Sequence, residues 1–284
     1  MLRVTRCELR VRSLRKEILV KLLSFAVVVV LGFADCVFAR VDANAPVEKG
    51  WDSFEYSAAK DLRVLPERVW TEGGEILLKP DNLTALLLAG GASVIMRQHA
   101  DQRIEEEIYE KEENRIFPEF TERSLDFLGG PGFHFGATGL WYGLAAAGKD
   151  DINRERAWTM MTALSITGAA TMSLKLIVND DTPNGKPLAW PSGHTSSSFT
   201  VASVLDEFYG PWVGIPAYIG AGAVGYRMME TGDHWPSDVV FGAVLGWIVG
   251  HGVAGKGKLE IAGFELVPYM NEFGGSGVGL VRMF

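Results

Sequence analysis

Cysteine is almost missing from this 284-residue chain: it has two, Cys7 and Cys36, and both precede residue 40. The body of the protein therefore has neither a disulfide nor a thiol nucleophile to draw on. Positive charge is scarce as well. Of 27 Lys and Arg against 35 Asp and Glu, seven of the former and three of the latter fall in the first 39 residues, so the remainder carries a net −12. An acidic body of this kind argues against nucleic acid as a partner. There is no internal repeat and no low-complexity tract. The mean hydropathy of +0.11 is high for a soluble protein and low for one made mostly of membrane spans.

What is present begins with a leader. Arg3, Arg6, Arg10, Arg12, Arg15, Lys16 and Lys21 precede an apolar run over 22–39 that is broken by Asp35 and ends Cys36-Val37-Phe38-Ala39. This pattern predicts a secretory signal or N-terminal anchor over 1–39, with the chain beyond it sent outward into the cell envelope. Asp35 directly before Cys36 argues against lipid attachment at that cysteine. Residues 40–78 read as a polar arm with one short helix, 79–256 as the main helical domain, and 257–284 as a tail. In the tail, alternation at Leu259, Ile261, Phe264 and Leu266, with Gly274-Gly275 between two apolar runs, suggests a short β-hairpin.

Six apolar segments, 83–96, 133–148, 157–178, 195–209, 212–229 and 238–254, are too long for strands and rich in Ala, Gly, Leu and Met. They predict an all-α fold with a six-helix bundle core. Several are too short or too Gly-rich to be read as membrane spans by themselves, which need about 20 apolar residues. The charged stretch 101–126 is expected to form a solvated helix over 101–113 and a loop around Pro118, a surface face rather than a binding element.

Three polar clusters interrupt the helices, each at a helix end. Lys175 precedes a Pro- and Gly-punctuated loop, Asn179 to Pro187. Pro191-Ser192-Gly193-His194 leads into Thr195-Ser196-Ser197-Ser198. Arg227 ends one helix before Asp233-His234-Trp235-Pro236-Ser237-Asp238 opens the next. A helix running out over 195–209 and another returning over 212–229 would bring all three clusters to one end.

At that end the start of a helix at Ser192-Gly193-His194 offers backbone N–H groups and a positive dipole end, and Lys175 and Arg227 add cations, so an anion is the expected ligand. His234 and Asp238, four apart, share a face; the carboxylate would orient the imidazole and leave its other nitrogen free to attack. His194 is then available as proton donor. Each element also has an ordinary reading. Ser-Gly-His is a common cap, the His–Asp pair a surface pair, and Lys175 and Arg227 can simply snorkel at helix ends. A metal site on the two histidines lacks a third histidine nearby. His99, His134 and His251 lie on or beside apolar segments and read as structural.

Taken together, these residues resemble the type 2 phosphatidic acid phosphatase superfamily, which also includes vanadium haloperoxidases and periplasmic acid phosphatases. Pro191-Ser192-Gly193-His194 matches its second motif and His234-Trp235-Pro236-Ser237-Asp238 the end of its third. The resemblance implies a hydrolase of lipid phosphates or other phosphomonoesters, with no cofactor and no metal. His234 would form a phosphohistidine, Asp238 would orient it and His194 would protonate the leaving group. Lys175, Ser192, Gly193 and Arg227 would hold the phosphate. Two departures stand out. Thr182 occupies the place of a phosphate-binding Arg, whose loss can cost about 3–4 kcal/mol of transition-state stabilisation; Thr182 itself and the nearby Lys186 are lesser candidates to compensate. Arg227 precedes His234 by seven residues rather than six. A non-catalytic envelope protein of the same fold is the competing expectation, and a vanadate-dependent haloperoxidase a more distant one.

Overall fold

The computed structural model describes residues 54–111 and 115–255, together with strand residues 260–261, 264–270 and 276–281. The leader and both cysteines lie outside the described residues. Nine α-helices occur among the described residues, in accord with the all-α expectation. They are α1 (Phe54–Leu78), α2 (Pro80–His99), α3 (Asp101–Glu105, continued by a π-helical turn Glu106–Glu110), α4 (Glu119–Gly129) and α5 (Pro131–Ala147), followed by α6 (Asp151–Val178), α7 (Gly193–Tyr209), α8 (Pro211–Glu230) and α9 (Pro236–Ala254). The tail pairs as an antiparallel sheet of β1 (Glu260–Ile261), β2 (Phe264–Met270) and β3 (Ser276–Val281), with Leu266 opposite Leu280.

Helix boundaries follow local chemistry. Pro80, Pro131, Pro211 and Pro236 each sit in a first turn, where a missing N–H costs nothing. Asp150 caps α6 by accepting the Asn153 N–H (2.9 Å), and Asn179 ends it in the left-handed conformation (φ 47°). The six apolar segments correspond to α2 and α5–α9. The arm differs from its expectation: α1 runs 25 residues straight through Pro66. Val69, Ile76 and Leu77 pack against the core formed by Ala89, Ile166, Phe241, Leu245 and Val249, and this tertiary burial outweighs the local cost of a mid-helix proline.

Helix α9 is the centre of the bundle, with Leu245, Ile248 and Val249 fully buried. It lies so close to α7 that a Cβ on Gly246 would stand 2.1 Å from the Ser196 carbonyl oxygen. The facing side of α7 is made of small hydroxyl residues that satisfy one another. Thr200 Oγ1 donates to Ser196 O (2.8 Å) and meets Thr167 Oγ1 of α6 (2.8 Å), while Ser196 Oγ meets Thr171 Oγ1 of α6 (3.0 Å). The Thr195–Ser198 run therefore serves helix approach, with its polar atoms paired as burial requires.

The charged stretch 101–126 keeps Glu106, Glu107, Glu110, Lys111, Glu119 and Arg123 exposed, as a solvated face should, but parts of it are also drawn toward the site. Asp101 is buried under the start of α9, Glu230 of α8 caps the backbone N–H groups of Ile116 and Phe117, and α4 projects Asp126 toward the start of α7. Charge density along the sequence marked the segment as solvated, but tertiary partners claim these particular carboxylates. Because the α7–α9 approach leaves no room for a side chain at position 246, Gly246→Ala is expected to cost about 2–3 kcal/mol. Gly222→Ala, where a Cβ meets nothing within 4 Å, should be neutral or gain up to about 1 kcal/mol from helix propensity. Thermal unfolding of both variants checks the contrast, and equal midpoints would contradict the crossing.

Candidate active site

The three polar clusters meet at one end of the bundle. A backbone bond from Ser192 N–H to Asp238 O (3.1 Å) joins the start of α7 to the first turn of α9. The loop after α6 folds back on itself through a bridge between Asp181 and Pro187 and through Asp180, which accepts the Trp190 N–H (3.0 Å). It is stitched to the α8–α9 turn by Asn184 N–H to Gly232 O (3.0 Å) and Trp235 Nε1–H to Asp181 O (2.8 Å). That turn holds the residue that makes the Arg227–His234 interval seven. Gly232 takes a positive φ of 67°, and the chain doubles back so that His234 N–H reaches Met228 O (3.0 Å). The longer spacing is absorbed there, and Arg227 and His234 still share a wall.

The clusters enclose a pocket of about 370 Å³ lined by Lys175, Thr182, Lys186, His194, Arg227, Asp233 and His234, with Asp126 at its rim. His234 Nδ1 lies 3.2 Å from Asp238 Oδ2, which also accepts the Trp235 N–H at 3.0 Å. Asp238 is fully buried, so its negative charge is directed at the imidazole rather than at water. With Nδ1 engaged, Nε2 is the nitrogen left for chemistry. His194 Nε2 stands 3.6 Å from Asp126 Oδ1.

The cations are held differently. Lys175 Nζ donates to Leu188 O and Ala189 O (3.0 Å), bracing the loop and leaving one of its three N–H groups for a ligand. Arg227 Nη1 bridges Asp126 and Asp233, 2.9 Å from each, and its Nε is buried without an acceptor among the described residues. Lys186 Nζ, the most exposed of the three, donates to Asp233 Oδ1 (2.8 Å).

Two of the sequence candidates spend their hydroxyls on local structure. Ser192 is buried, and its Oγ accepts from Thr195 N–H (3.4 Å) and Thr195 Oγ1 (3.0 Å): its side chain is the cap of α7. Thr182 Oγ1 is taken up by Asn184 Oδ1 (2.7 Å) and by the Lys186 N–H (2.9 Å), so this hydroxyl shapes the loop. Gly193 lies beside Lys175, a Cβ there falling 4.0 Å from Lys175 Cε. His251 is buried at the far end of the bundle between Glu207 (2.5 Å) and Tyr218 (2.8 Å).

Sequence reasoning missed Asp126, Asp233 and Arg97. Asp233 was visible beside His234, but its partners come from two segments, 184–186 and 227–231. Arg97, near the end of α2, lies behind the pocket. Its guanidinium is 2.6 Å from Asp180 Oδ2 and 3.5 Å from Asp238 Oδ1, and it stacks on Trp235 with 4.8 Å to the ring centroid. No sequence motif marks it. Among the described residues, no three or more His, Cys, Asp or Glu gather as metal ligands. What the geometry provides is an oriented imidazole, a second imidazole and three cations around one cavity.

Comparison with known proteins identifies the family. The family model described as the PAP2 superfamily matches residues 98–256, more than half of the chain. The chain belongs to the PAP2 superfamily, as its second and third motifs led one to expect. It is similar to the Lipid A 1-phosphatase of Porphyromonas gingivalis, 29% identical over 143 residues, a match covering 45% of this chain and 32% of that protein. The chain thus spans about a third of the length of that curated relative. Among solved structures it is similar to LpxE of Aquifex aeolicus (TM-score 0.44, 20% identity, 53% of this chain and 92% of that one). It is also similar to a transmembrane PAP2 type phosphatidylglycerolphosphate phosphatase of Bacillus subtilis (TM-score 0.40, 17% identity, 71% and 96%).

Asp233 gives the pocket a pH signature. Burial works to raise its carboxyl, but the Lys186, Thr231 and Asn184 donors and the Arg227 charge prevail and hold it at about 2. A carboxyl whose folded value is depressed stabilises the fold fully above its unfolded value, about 3.9, and loses that contribution as pH falls toward 2. The stabilisation at neutral pH is on the order of 2 kcal/mol. Asp233→Asn should therefore lower the thermal midpoint at pH 7 and flatten its fall between about pH 4 and 2. A parallel acid-denaturation curve for the variant would contradict the assignment.

Proposed function

We propose that the protein is a phosphatase that cleaves a phosphomonoester, or a diphosphate, of a lipid through covalent catalysis at His234. The observation that carries this reading is the single pocket in which the His234–Asp238 pair, His194, Lys175 and Arg227 converge. Lys175, Arg227 and Lys186, with the Gly193 backbone at the start of α7, surround the phosphate oxygens and offset the charge that grows in the transition state. His234 Nε2 attacks phosphorus as the bond to the leaving oxygen breaks, and the Nδ1–H on Asp238 stabilises the resulting imidazolium. His194 gives its proton to the leaving alkoxide and then takes one from the water that cleaves the P–N bond. The phosphohistidine, the roles of these residues and independence from metal ions are parts of this proposal.

A lipid substrate is favoured by the outer surface. Leu87, Leu88 and Ile95 of α2, Leu140 of α5, and Leu176 and Ile177 of α6 are more than half exposed. Exposed apolar side chains grouped on a helix surface, as at Leu87-Leu88 and Leu176-Ile177, are what a membrane contact presents. Helices α6 and α9 are also long and apolar enough to cross a membrane. We place the protein in the bacterial envelope membrane, with the pocket on the periplasmic side if the basic leader stays in the cytoplasm.

A non-catalytic role in the same envelope is the second reading. It draws on Thr182 in place of a guanidinium and on the two carboxylates that neutralise Arg227. Phosphate release from a panel of lipid and water-soluble phosphates separates the two. His234→Ala is expected to lower turnover by about 10³-fold or more, with lipid phosphates preferred. Equal release by wild type and His234→Ala would exclude the histidine mechanism. Phosphate binding without turnover by the wild type would favour the second reading.

A further inference from the structure

We propose that Arg97 is a positioning residue for the reaction, acting on His234 through Asp238, and that Asp101 and Ser237 fix the platform on which it works. The inference rests on the histidine mechanism above and extends it to α2 and α3, outside the three polar clusters. Asp238 Oδ2 is committed to His234 and to the Trp235 N–H, whereas Oδ1 is buried with no hydrogen bond. An oxygen left this way is costly unless a charge faces it. The Arg97 guanidinium does so at 3.5 Å. Arg97 is itself fixed on three sides, by Asp180 (2.6 Å), by the face of Trp235 (4.8 Å) and by Asp101 (4.0 Å). Lysine could supply the charge but not the planar fork that meets two carboxylates and stacks on an indole.

Asp101 clamps the other side of the same helix start. Its two oxygens accept the Ser237 N–H (3.1 Å) and the Ser237 hydroxyl, so the first turn of α9 is capped from α3. Ser93 of α2 donates to Ser237 O (3.1 Å) and receives Trp190 Nε1–H (2.9 Å) from the loop. The turn that carries His234 and Asp238 is therefore gripped from behind by three side chains, Ser93 and Arg97 of α2 and Asp101 of α3, with Trp190 of the loop holding Ser93 in place. A grip of this kind fixes an imidazole to within the tolerance that catalysis needs.

The charge on Arg97 adds an electrostatic role. His234 is faced by Lys175 from α6, His194 from α7, Arg227 from α8 and Asp126 from α4, with Lys186 and Asp233 from the loops. Asp238 is faced by Arg97 and Asp101, and by Lys175 at longer range. With Arg97 gone, Asp238 would hold a proton on the imidazole more strongly, and a protonated nucleophile cannot attack.

The test compares wild type, Arg97→Met and Arg97→Lys on a lipid phosphate over pH 4–9, together with the downfield proton NMR signal of the His234 Nδ1–H, identified by its loss in His234→Ala. Arg97→Met is expected to lower kcat by about tenfold with KM within about twofold. The acid limb of kcat/KM should move to higher pH by about half a unit. The Nδ1–H signal should weaken through faster exchange. Arg97→Lys should return the acid limb to its wild-type position while kcat recovers only in part, and it is the variant read if Arg97→Met does not fold. Unchanged kcat, pH profile and Nδ1–H signal in both variants would overturn the inference, as would a loss in kcat with pH profile and Nδ1–H signal both unmoved. If the wild type shows no turnover, the phosphatase reading fails by itself, and the NMR signal still decides whether Arg97 holds the pair.

Discussion

The backbone bond from Ser192 N–H to Asp238 O, 3.1 Å long, joins the first turns of two helices that the sequence separates by more than forty residues. It forms because α7 and α9 pack almost backbone to backbone, Gly246 against the Ser196 carbonyl. Interior packing at this density has little slack, so the helix crossing fixes the start of α7 against the start of α9, and the α8–α9 turn, held by His234 N–H on Met228 O, places His234 beside it. The site is thus a property of the bundle end. The hydroxyl ladder of Thr167, Thr171, Ser196 and Thr200 that lets these helices approach is as much a part of it as the residues lining the cavity.

Around that junction the charges are nested. Asp238 is buried between an imidazole on the pocket side and a guanidinium behind; Arg227 and Asp233 form a second pair, with Asp126 and Lys186 at its ends. Positive charge therefore stays concentrated where a phosphate would bind, in a chain whose body is acidic, because the carboxylates that balance it are also hydrogen bonded and fixed. Arg227 and Asp238 are shielded from water, the condition under which preorganised charges are most effective, while Lys186 and Asp126 stay open to it.

Much of this could be read from the residues alone. Six apolar helices, their order and the convergence of Lys175, His194, Arg227 and His234 follow from periodicity, from helix-ending signals and from two short motifs at 191–194 and 234–238. Those are local properties, and the chain encodes them locally through prolines in first turns, Asn179 and Gly232 in the left-handed region, and Asp238 four residues after His234. The reach of α1 through Pro66 was not legible, since its stability comes from burial against Phe241 and Val249 rather than from propensity.

The sequence by itself determined which helices form, where they stop and which chemistry their ends carry, because capping, periodicity and i,i+4 spacing act over a few residues. Tertiary structure alone decided what each polar side chain is for. It brought Asp126 and Asp101 from a charged stretch read as a solvated face, and Arg97 from the end of an apolar helix, to the walls and backing of the pocket. A carboxylate or guanidinium has no intrinsic preference for surface or site. Its role follows from the partners within about 4 Å, and those partners lie far away along the chain.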